Sequence, residues 1–313
     1  MTKGSPCSKR PFKDYLVLAV KGFCMGASDV VPGVSGGTMA FILGIYEELI
    51  GAIRSFDLQF LRQIFAFKVS QALERASWRF LLSLGVGILT AIFTLARVLS
   101  WLLENRPVEI WSFFFGLVVA SALTVSRHFS KWTLSIAAWV ALGATLTYLL
   151  VGMVPATTPE APWFLFASGA IAICAMILPG ISGAFILVLL GKYHFVLEAV
   201  NNRDILTLFL VASGAGLGLV AFARFLHWLF DRHHDLTIAL LTGLMLGSLR
   251  KVWPWKSAVE TMKDIHGNVV VTVESNIAPQ GDIGEIAMAL LLAALGFFIV
   301  FLLDFLAEKK TKR

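Results

Sequence analysis

Residues 30–37 read VVPGVSGG, and residues 177–184 repeat this pattern as ILPGISGA. The Pro-Gly pair and the Ser-Gly pair recur in the second copy at the same separation of 147 residues. Each copy interrupts a long apolar region, 16–53 in the first case and 163–200 in the second. Irregular backbone at membrane depth is tolerated only where it is buried in protein or lines a water-filled cavity. The two interruptions therefore predict a site inside a membrane protein.

The composition of the chain supports a membrane protein. Of its 313 residues, 58% are hydrophobic and 15% are charged, and the mean hydropathy is +0.80. Soluble globular proteins have about 45–50% apolar and about 25% charged residues, so an ordinary water-soluble enzyme and a disordered protein are both excluded. Apolar runs of about 20 residues cross the bilayer core. We predict an all-α polytopic membrane protein, a single transmembrane domain over 1–313, with full spans at 79–103, 109–126, 132–154, 205–230, 236–250 and 284–306.

The positive charges indicate the topology. Of the 26 Lys and Arg residues, 16 share one compartment if each broken region enters and leaves on the same side, namely those in 1–15, 54–79, 127–131, 231–235 and 307–313. The opposite side holds 7. By the positive-inside rule both termini are expected in the cytoplasm, and 251–283 is an extracytoplasmic loop. The net charge of +6 therefore reflects topology, and no nucleic-acid partner is expected.

The chain repeats more than these two loops. Gly44-x-Tyr46 matches Gly191-x-Tyr193 at the same separation of 147 residues. Four later pairs are 127 residues apart: Arg97 and Arg224, Trp101 and Trp228, Gly116 and Gly243, and Ser121 and Ser248. We predict two inverted repeats, 16–154 and 163–306, each a broken (re-entrant) helical hairpin plus three transmembrane helices, although the charges fit a hairpin that crosses fully equally well. Inverted repeats with broken segments at matching positions are typical of secondary transporters.

The two loops carry residue types that suit a phosphate group. A helix that begins inside the protein at mid-membrane offers free N–H groups and a positive dipole end to an anion. Glycines let the backbone approach a ligand, and hydroxyls at a helix start cap the helix or donate to an oxyanion. We predict that one phosphate is held between the loops by Gly33, Ser35, Gly36, Gly37, Thr38, Gly180, Ser182 and Gly183. The alternative is that these are ordinary kink and cap residues without a ligand.

Three charged residues lie within the spans or beside a loop. Arg97 and Arg224 occupy equivalent positions, where a charge costs at least about 2.5–3.5 kcal/mol on insertion scales. We predict that their guanidinium groups bind the phosphate in bidentate fashion; the alternative is snorkelling or a structural ion pair, for instance with Asp29. Asp29 precedes the first loop and either holds a coupling proton or cation or compensates an arginine. No metal site is predicted.

One motif suggests an enzyme instead. Residues 33–37 fit G-x-S-x-G, and His227 on another span would be the base of an intramembrane serine hydrolase. However, the motif follows a proline and is duplicated, whereas a catalytic dyad needs one serine. The residue that matches His227 in the first repeat is Ser100, so two serines would share one base. We therefore favour a transporter, with a carrier of a small soluble anion as the first alternative and the hydrolase as the second.

Two long runs carry a family resemblance. GFCMGASDVVPGVSGGTMAFILGIYEELI (22–50) and GAIAICAMILPGISGAFILVLLGKY (169–193) resemble the bacterial polyprenyl-phosphate transporter family, long catalogued as a domain of unknown function. The likeness covers essentially 12–306, and its paired signature loops lie at 33–38 and 180–184. Ala184 departs from the signature, where a hydroxyl residue is expected after Ser182 and Gly183. The backbone donors of this second loop are unaffected by that change.

The resemblance implies a transporter, or flippase, for undecaprenyl phosphate, the lipid carrier used in peptidoglycan and envelope glycan synthesis. The carrier would return from the outer to the inner leaflet of the bacterial cytoplasmic membrane by alternating access around a mid-membrane phosphate site. The implied partners are undecaprenyl phosphate and membrane lipids, and no cofactor is implied. The sequence leaves open the coupling ion, the prenyl chain length and whether the protein is a homo-oligomer.

Overall fold

The computed structural model describes residues 11–29, 35–127, 129, 131–156, 158–263 and 269–311. Within these residues the chain forms thirteen helices and two strands. In chain order they are α1 Phe12–Asp29, α2 Gly36–Ile42, α3 Tyr46–Arg54, α4 Leu58–Phe65, α5 Val69–Arg75, α6 Trp78–Asn105, α7 Pro107–Ser126, α8 Leu134–Val151, α9 Pro162–Ile177, α10 Gly183–Leu189, α11 Tyr193–Asn201, α12 Ile205–Ser248, β1 Lys256–Lys263, β2 Val269–Asn276 and α13 Ile283–Thr311.

Five of the described helices are long and apolar enough to cross a membrane, namely α6, α7, α8, α12 and α13. The number rises to seven if each of two bent helix pairs, α2–α3 and α10–α11, counts as one span. All six full spans predicted from the sequence coincide with these five helices. The prediction of an all-α polytopic membrane protein is therefore confirmed.

The predicted spans 205–230 and 236–250 correspond to the two helical segments of α12, which a kink separates. The kink is at His233, whose φ of −139° and ψ of 54° are not helical. Arg106, which separates α6 from α7, has a φ of −139° and a ψ of 51° and precedes His233 by 127 residues. The break between α6 and α7 and the kink in α12 thus have the same local geometry. The segments before and after His233 are the first and second arms of α12.

The two bent pairs have the same design. The axes turn by 119° between α2 and α3 and by 105° between α10 and α11. At the turns, Gly44 has a φ of +65° and Gly191 a φ of +63°, a left-handed conformation in which glycine has no steric penalty. The N–H of each glycine and that of the next residue donate to carbonyls of the preceding helix, which closes its C-terminal end. This geometry explains why Gly44 and Gly191 match in the sequence.

The first helix of each bent pair returns along the helix that precedes it in the chain. The N–H of Ala156 donates to the carbonyl of Leu189 at 2.8 Å, so α10 ends beside the segment that leads into α9. In the first copy, Lys21 Nζ in the middle of α1 donates to the carbonyl of Leu43 at the end of α2, at 2.6 Å. Both α1–α2 and α9–α10 are therefore hairpins whose second helix returns along the first.

Glycines bring the long helices into direct backbone contact. At four of them a Cβ atom would collide with a carbonyl oxygen of the facing helix, and the contacts are reciprocal. In the α1–α6 pair they are Gly22 against Leu84 and Gly87 against Ala19; in α9 and the first arm of α12 they are Gly169 against Val211 and Gly214 against Phe166. Such small-residue crossings are how helices associate in membranes, where lipid offers no hydrophobic driving force between them.

Two further helix pairs cross in the same manner. Between α7 and α13, the glycine contacts are Gly116 against Ala293 and Gly296 against Phe113; between α8 and the second arm of α12, they are Gly143 against Leu240 and Gly243 against Val140. Because the facing atoms are backbone, they can move only if the helices separate. Four close helix pairs therefore make up the body of the described protein.

Two apolar clusters pack against different parts of α7, the second of them from Trp111 to Ala122. Val125, near its C-terminal end, packs in a cluster with Phe230, just before the α12 kink. Trp111, near its N-terminal end, packs in a second cluster with Leu99 of α6 and Met245 of the second arm of α12. The 20 residues of α7 extend over about 30 Å. The α6–α7 break and the α12 kink consequently lie at opposite ends of the bundle.

Two segments lie outside the apolar helices. The connector 54–78 contains the short helices α4 and α5. Asp57 caps α4 by accepting from the N–H of Phe60 at 2.7 Å, and it pairs with Arg75 at 2.6 Å. The strands β1 and β2 form an antiparallel hairpin within 251–283.

Candidate functional site

The first loop is joined to the second through the side chain of Ser35. Ser35 is 1% exposed and caps α2, because its Oγ accepts from the N–H of Gly37 at 3.0 Å. The same hydroxyl lies 3.0 Å from the carbonyl oxygen of Met176 and 3.3 Å from that of Leu178, and it can donate to either. One serine therefore organises the start of α2 and binds the backbone that leads into the second loop.

Thr38 and Tyr46 make two more links between the loops. The N–H of Gly180 donates to Thr38 Oγ1 at 2.8 Å, and Tyr46 Oη donates to the carbonyl of Ile177 at 3.1 Å. Gly180 has a φ of +88°, and a Cβ atom there would lie 2.9 Å from the carbonyl oxygen of Leu244. Only glycine fits this conformation and this space comfortably. The second loop thus contacts Thr38 of the first loop and the second arm of α12, and Tyr46 of α3 binds the end of α9 that leads into it.

Asp29 closes the first loop on itself. Its Oδ1 accepts from the N–H of Gly36 at 2.6 Å, at the start of α2. A carboxylate at this position interacts favourably with the positive end of the helix. Gly36 and Gly37 are both close-packed: a Cβ atom on Gly36 would touch the Asp29 carboxylate, and one on Gly37 would collide with the carbonyl of Ile177. The first loop therefore already has a negative group next to its backbone donors.

The second loop differs from the first in its side chains. Ser182 stands at the cap position of α10, but its side chain makes no cap hydrogen bond within the described structure. Gly183 packs against α9, where a Cβ atom would lie 2.7 Å from the carbonyl oxygen of Ala172. Ala184, where the first loop has Gly37, is exposed. The first loop thus supplies the hydroxyl groups, and the second supplies mainly backbone groups.

The structure brings the two loops together but leaves both arginines on the outer faces of their helices. Arg97 and Arg224 are exposed. The hydrogen bond that Arg224 makes is to the carbonyl of Phe56, at 3.4 Å from Nη2, and not to a loop. Gly33 lies outside the described residues. Of the predicted phosphate ligands, the meeting point therefore unites Ser35, Gly36, Gly37, Thr38 and Gly180, with Ser182 and Gly183 next in the chain.

The structure adds Tyr46 to the site and leaves His227 away from it. Tyr46 was not predicted as a site residue, although its match with Tyr193 in the repeat was a signal of its importance. It is buried and reaches the second loop, whereas Tyr193 is 38% exposed. His227, the base that a hydrolase would need, pairs with Asp231 on its own helix at 3.3 Å. In the described structure the Ser35 hydroxyl is directed to backbone carbonyls and not to a histidine.

Comparisons with known proteins identify the family of the chain. Residues 25–270 match the VCA0040-like family, described as undecaprenyl phosphate translocase-like. A polyprenyl-phosphate transporter of Vibrio cholerae is 43% identical over 266 residues, which cover 85% of this chain and 86% of that protein. A polyprenyl-phosphate transporter of Staphylococcus aureus is 30% identical over 255 residues, which cover 75% of this chain and 85% of that protein. No solved structure gives a significant match.

Both relatives carry the names of transporters and neither is named as an enzyme, which goes against the hydrolase interpretation of Ser35 and His227. The family match includes both loops and four of the five long apolar helices. The resemblance found in the sequence is therefore confirmed, and the chain belongs to the undecaprenyl phosphate translocase-like family.

Proposed function

We propose that this protein carries undecaprenyl phosphate from the outer to the inner leaflet of the bacterial cytoplasmic membrane. The observation that carries the proposal is the buried meeting of two helix-breaking loops, where backbone N–H groups and hydroxyls converge among apolar helices. Both relatives are named polyprenyl-phosphate transporters, which supports a polyprenyl phosphate as the transported molecule. In this proposal the protein is a transporter and not an enzyme, and both of its termini are in the cytoplasm.

The inverted repeat belongs to the same proposal. The reciprocal glycine contacts of α1 with α6 recur between α9 and the first arm of α12. Gly169 follows Gly22 by 147 residues, and Gly214 follows Gly87 by 127 residues, which are the two separations found between the repeats. An equivalent packing of two halves with three spans each would place them in opposite orientations in the membrane. Alternating access then follows from rocking one half against the other around the loops.

In the proposed site, the phosphate lies at mid-depth between the loops. Its ligands would be the loop groups predicted from the sequence, namely Gly33, Ser35, Gly36, Gly37, Thr38, Gly180, Ser182 and Gly183, whereas Arg97 and Arg224, which are exposed on the outer faces of their helices, are not among them. The hydrogen bonds that now join the loops must open to admit it, because Ser35 and Thr38 use their oxygens on the opposite loop. In this proposal the described arrangement is a closed form of the site.

The chemistry of the carrier explains why such a site is needed. A charged phosphate headgroup is costly to move through hydrocarbon, whereas the prenyl chain is as apolar as the lipid around it. A transporter needs to shelter only the headgroup and can leave the chain in the bilayer. Many large apolar side chains on the outside of α6, α12 and α13 are exposed and would contact that chain or ordinary lipid.

The proposal is tested by reconstitution into sealed vesicles that contain undecaprenyl phosphate in the outer leaflet alone. We expect the purified protein to speed the movement of the carrier to the inner leaflet, measured as the loss of carrier that is accessible to an external phosphatase. Protein-free vesicles are the control. Transport of free phosphate with no effect on the carrier would replace the proposal by the soluble-anion alternative.

A second experiment tests Asp29 as the coupling residue. Asp29→Asn keeps an oxygen that accepts from the N–H of Gly36 but cannot exchange a proton or carry a charge. We expect the variant to fold and to lose the response of carrier transport to an imposed proton or sodium gradient. The rate is measured with and without each gradient in the vesicle assay. A variant that responds to the gradients as the wild type does would exclude Asp29 as the coupling site.

A further inference from the structure

Arg97 and Arg224 stand on the faces of their helices that no other described helix covers. On α6, Arg97 is flanked by Phe93 and Trp101, which are 81% and 56% exposed. On the first arm of α12, Arg224 is exposed and lies one turn before Trp228, which is 54% exposed. A helix face with this composition contacts lipid when the helix spans a membrane. The two arginines are thus cations presented to the bilayer.

Neither guanidinium is paired with a carboxylate of the described chain. The hydrogen bond of Arg224 goes to a neutral carbonyl, that of Phe56. A cation on a lipid-facing surface is costly unless it meets an anion, and the anions within its reach are the phosphates of lipid headgroups. A guanidinium binds phosphate oxygens with two parallel hydrogen bonds. Each arginine therefore has the chemistry of a headgroup contact.

The two positions belong to different ends of the protein. Arg97 precedes Glu104, at the end of α6, by two helical turns, or about 10 Å. Arg224 precedes Asp231, next to the α12 kink, by the same number of turns. The α6–α7 break and the α12 kink mark opposite ends of the bundle, as the two apolar clusters that pack against α7 show. The two arginines accordingly approach opposite surfaces of the membrane.

The exposed tryptophans beside Arg97 and Arg224 indicate how deep the two arginines lie in the membrane. Trp101 and Trp228 each lie one turn nearer to the end of the bundle than the neighbouring arginine, and both are more than half exposed. Exposed tryptophan is enriched at the level of lipid headgroups in both leaflets. Each arginine consequently lies just below the headgroup level of one leaflet, where its side chain reaches a phosphate and an adjacent prenyl chain can contact the aromatic rings.

We propose that Arg97 and Arg224 are two separate docking points for the monophosphate headgroup of a polyprenyl phosphate, one in each leaflet. The carrier would bind one arginine, pass through the loop site and leave by the other. A monophosphate ester has nearly two negative charges at neutral pH and three free oxygens, so it suits a guanidinium better than the singly charged diester of a phospholipid. The inference rests on the proposed function and replaces one two-arginine clamp by two sites.

The test places a photoreactive residue beside each arginine. Benzoylphenylalanine is introduced at Phe93, near Arg97, or at Phe225, near Arg224, and the protein is reconstituted with undecaprenyl phosphate. We expect Arg97→Gln to lower crosslinking of the carrier at Phe93 at least tenfold and to leave crosslinking at Phe225 unchanged. Arg224→Gln should have the opposite effect. Arg79→Gln is the matched control, because Arg79 lies on α6 at its other end, over the ring of Trp78.

Several results would overturn the inference. A single arginine change that lowers crosslinking equally at both positions indicates one shared clamp. Crosslinking of the carrier that persists in both arginine variants excludes the arginines as docking points. The same conclusion follows if the wild-type protein transports the carrier but is not crosslinked to it. Competition by excess phosphatidylglycerol would identify ordinary phospholipid as the occupant. Failure of the proposed function is seen separately, as a wild-type protein that does not move the carrier in the vesicle assay.

Discussion

Replacing Thr38 by valine is expected to lower the rate of carrier transport about tenfold, whereas Thr38→Ser is expected to keep most of it. Valine has the shape of threonine but lacks the oxygen that accepts from the N–H of Gly180 at 2.8 Å. Serine keeps that oxygen and loses only a methyl group. The comparison therefore isolates the hydroxyl of Thr38, which holds Gly180 in the described structure and is a proposed ligand of the phosphate.

The size of the effect follows from the burial of the Gly180 N–H. Both Thr38 and Gly180 are buried, so water does not replace the lost acceptor. A buried donor without a partner costs about 1–3 kcal/mol, and about 1.4 kcal/mol corresponds to a factor of ten in an equilibrium or a rate. Because Gly180 also has a φ of +88°, its loop is held in place by this hydrogen bond and by packing rather than by regular structure.

Transport is measured as the initial rate in the vesicle assay at equal amounts of reconstituted protein. A thermal unfolding curve of each variant in detergent shows whether the valine protein is folded at the assay temperature. A folded valine variant that transports at the wild-type rate would show that the hydrogen bond between the loops has no part in the transport cycle.

A second large effect is expected at the helix crossings. Gly87→Ala and Gly214→Ala should each destabilise the protein by about 1–3 kcal/mol, because the new methyl group meets a backbone carbonyl, that of Ala19 or of Phe166. Neither carbonyl can turn away without separating two helices. The expected observation is a clearly lower thermal unfolding temperature in detergent, with less folded protein recovered from the membrane.

The chain offers a matched control two residues from each site. A Cβ atom on Gly85 or Gly216 would meet nothing within 4 Å. Gly85→Ala and Gly216→Ala should therefore leave stability unchanged or raise it by up to about 1 kcal/mol, the difference in helix propensity. Equal unfolding temperatures for Gly85→Ala and Gly87→Ala would contradict the close backbone contact between α1 and α6.

Local signals were sufficient to predict the long apolar helices and the Pro-Gly break in the second copy. The Pro-Gly and Ser-Gly pairs interrupt apolar runs, and in the second copy, where the break is described, α9 ends at Ile177 and α10 begins at Gly183. The matching glycines Gly44 and Gly191 stand at turns that require a positive φ. Such features depend on a few neighbouring residues, and their physical meaning does not change with the rest of the fold.

The partners of the site residues could not be predicted in the same way. Thr38 and Gly180 are 142 residues apart, and their hydrogen bond depends on how the two hairpins pack. The direction of Arg97 was equally hidden, because Thr90 and Thr94 share its face of α6, and a polar face of a membrane helix is ordinarily expected to point inward. In a membrane protein, apolar residues cover both the core and the lipid surface, so the pattern that identifies a buried face in soluble proteins is weak.

The matching backbone geometry at Arg106 and His233 has a consequence for movement. The reciprocal glycine contacts make four helix pairs that resist bending or sliding, and Arg106 and His233 connect one such pair to the next. Changes of shape in proteins built from stiff parts are absorbed by a few residues between those parts. If the two halves rock as proposed, Arg106 and His233 would act as hinges at opposite ends of the bundle, so that a movement that opens one end closes the other.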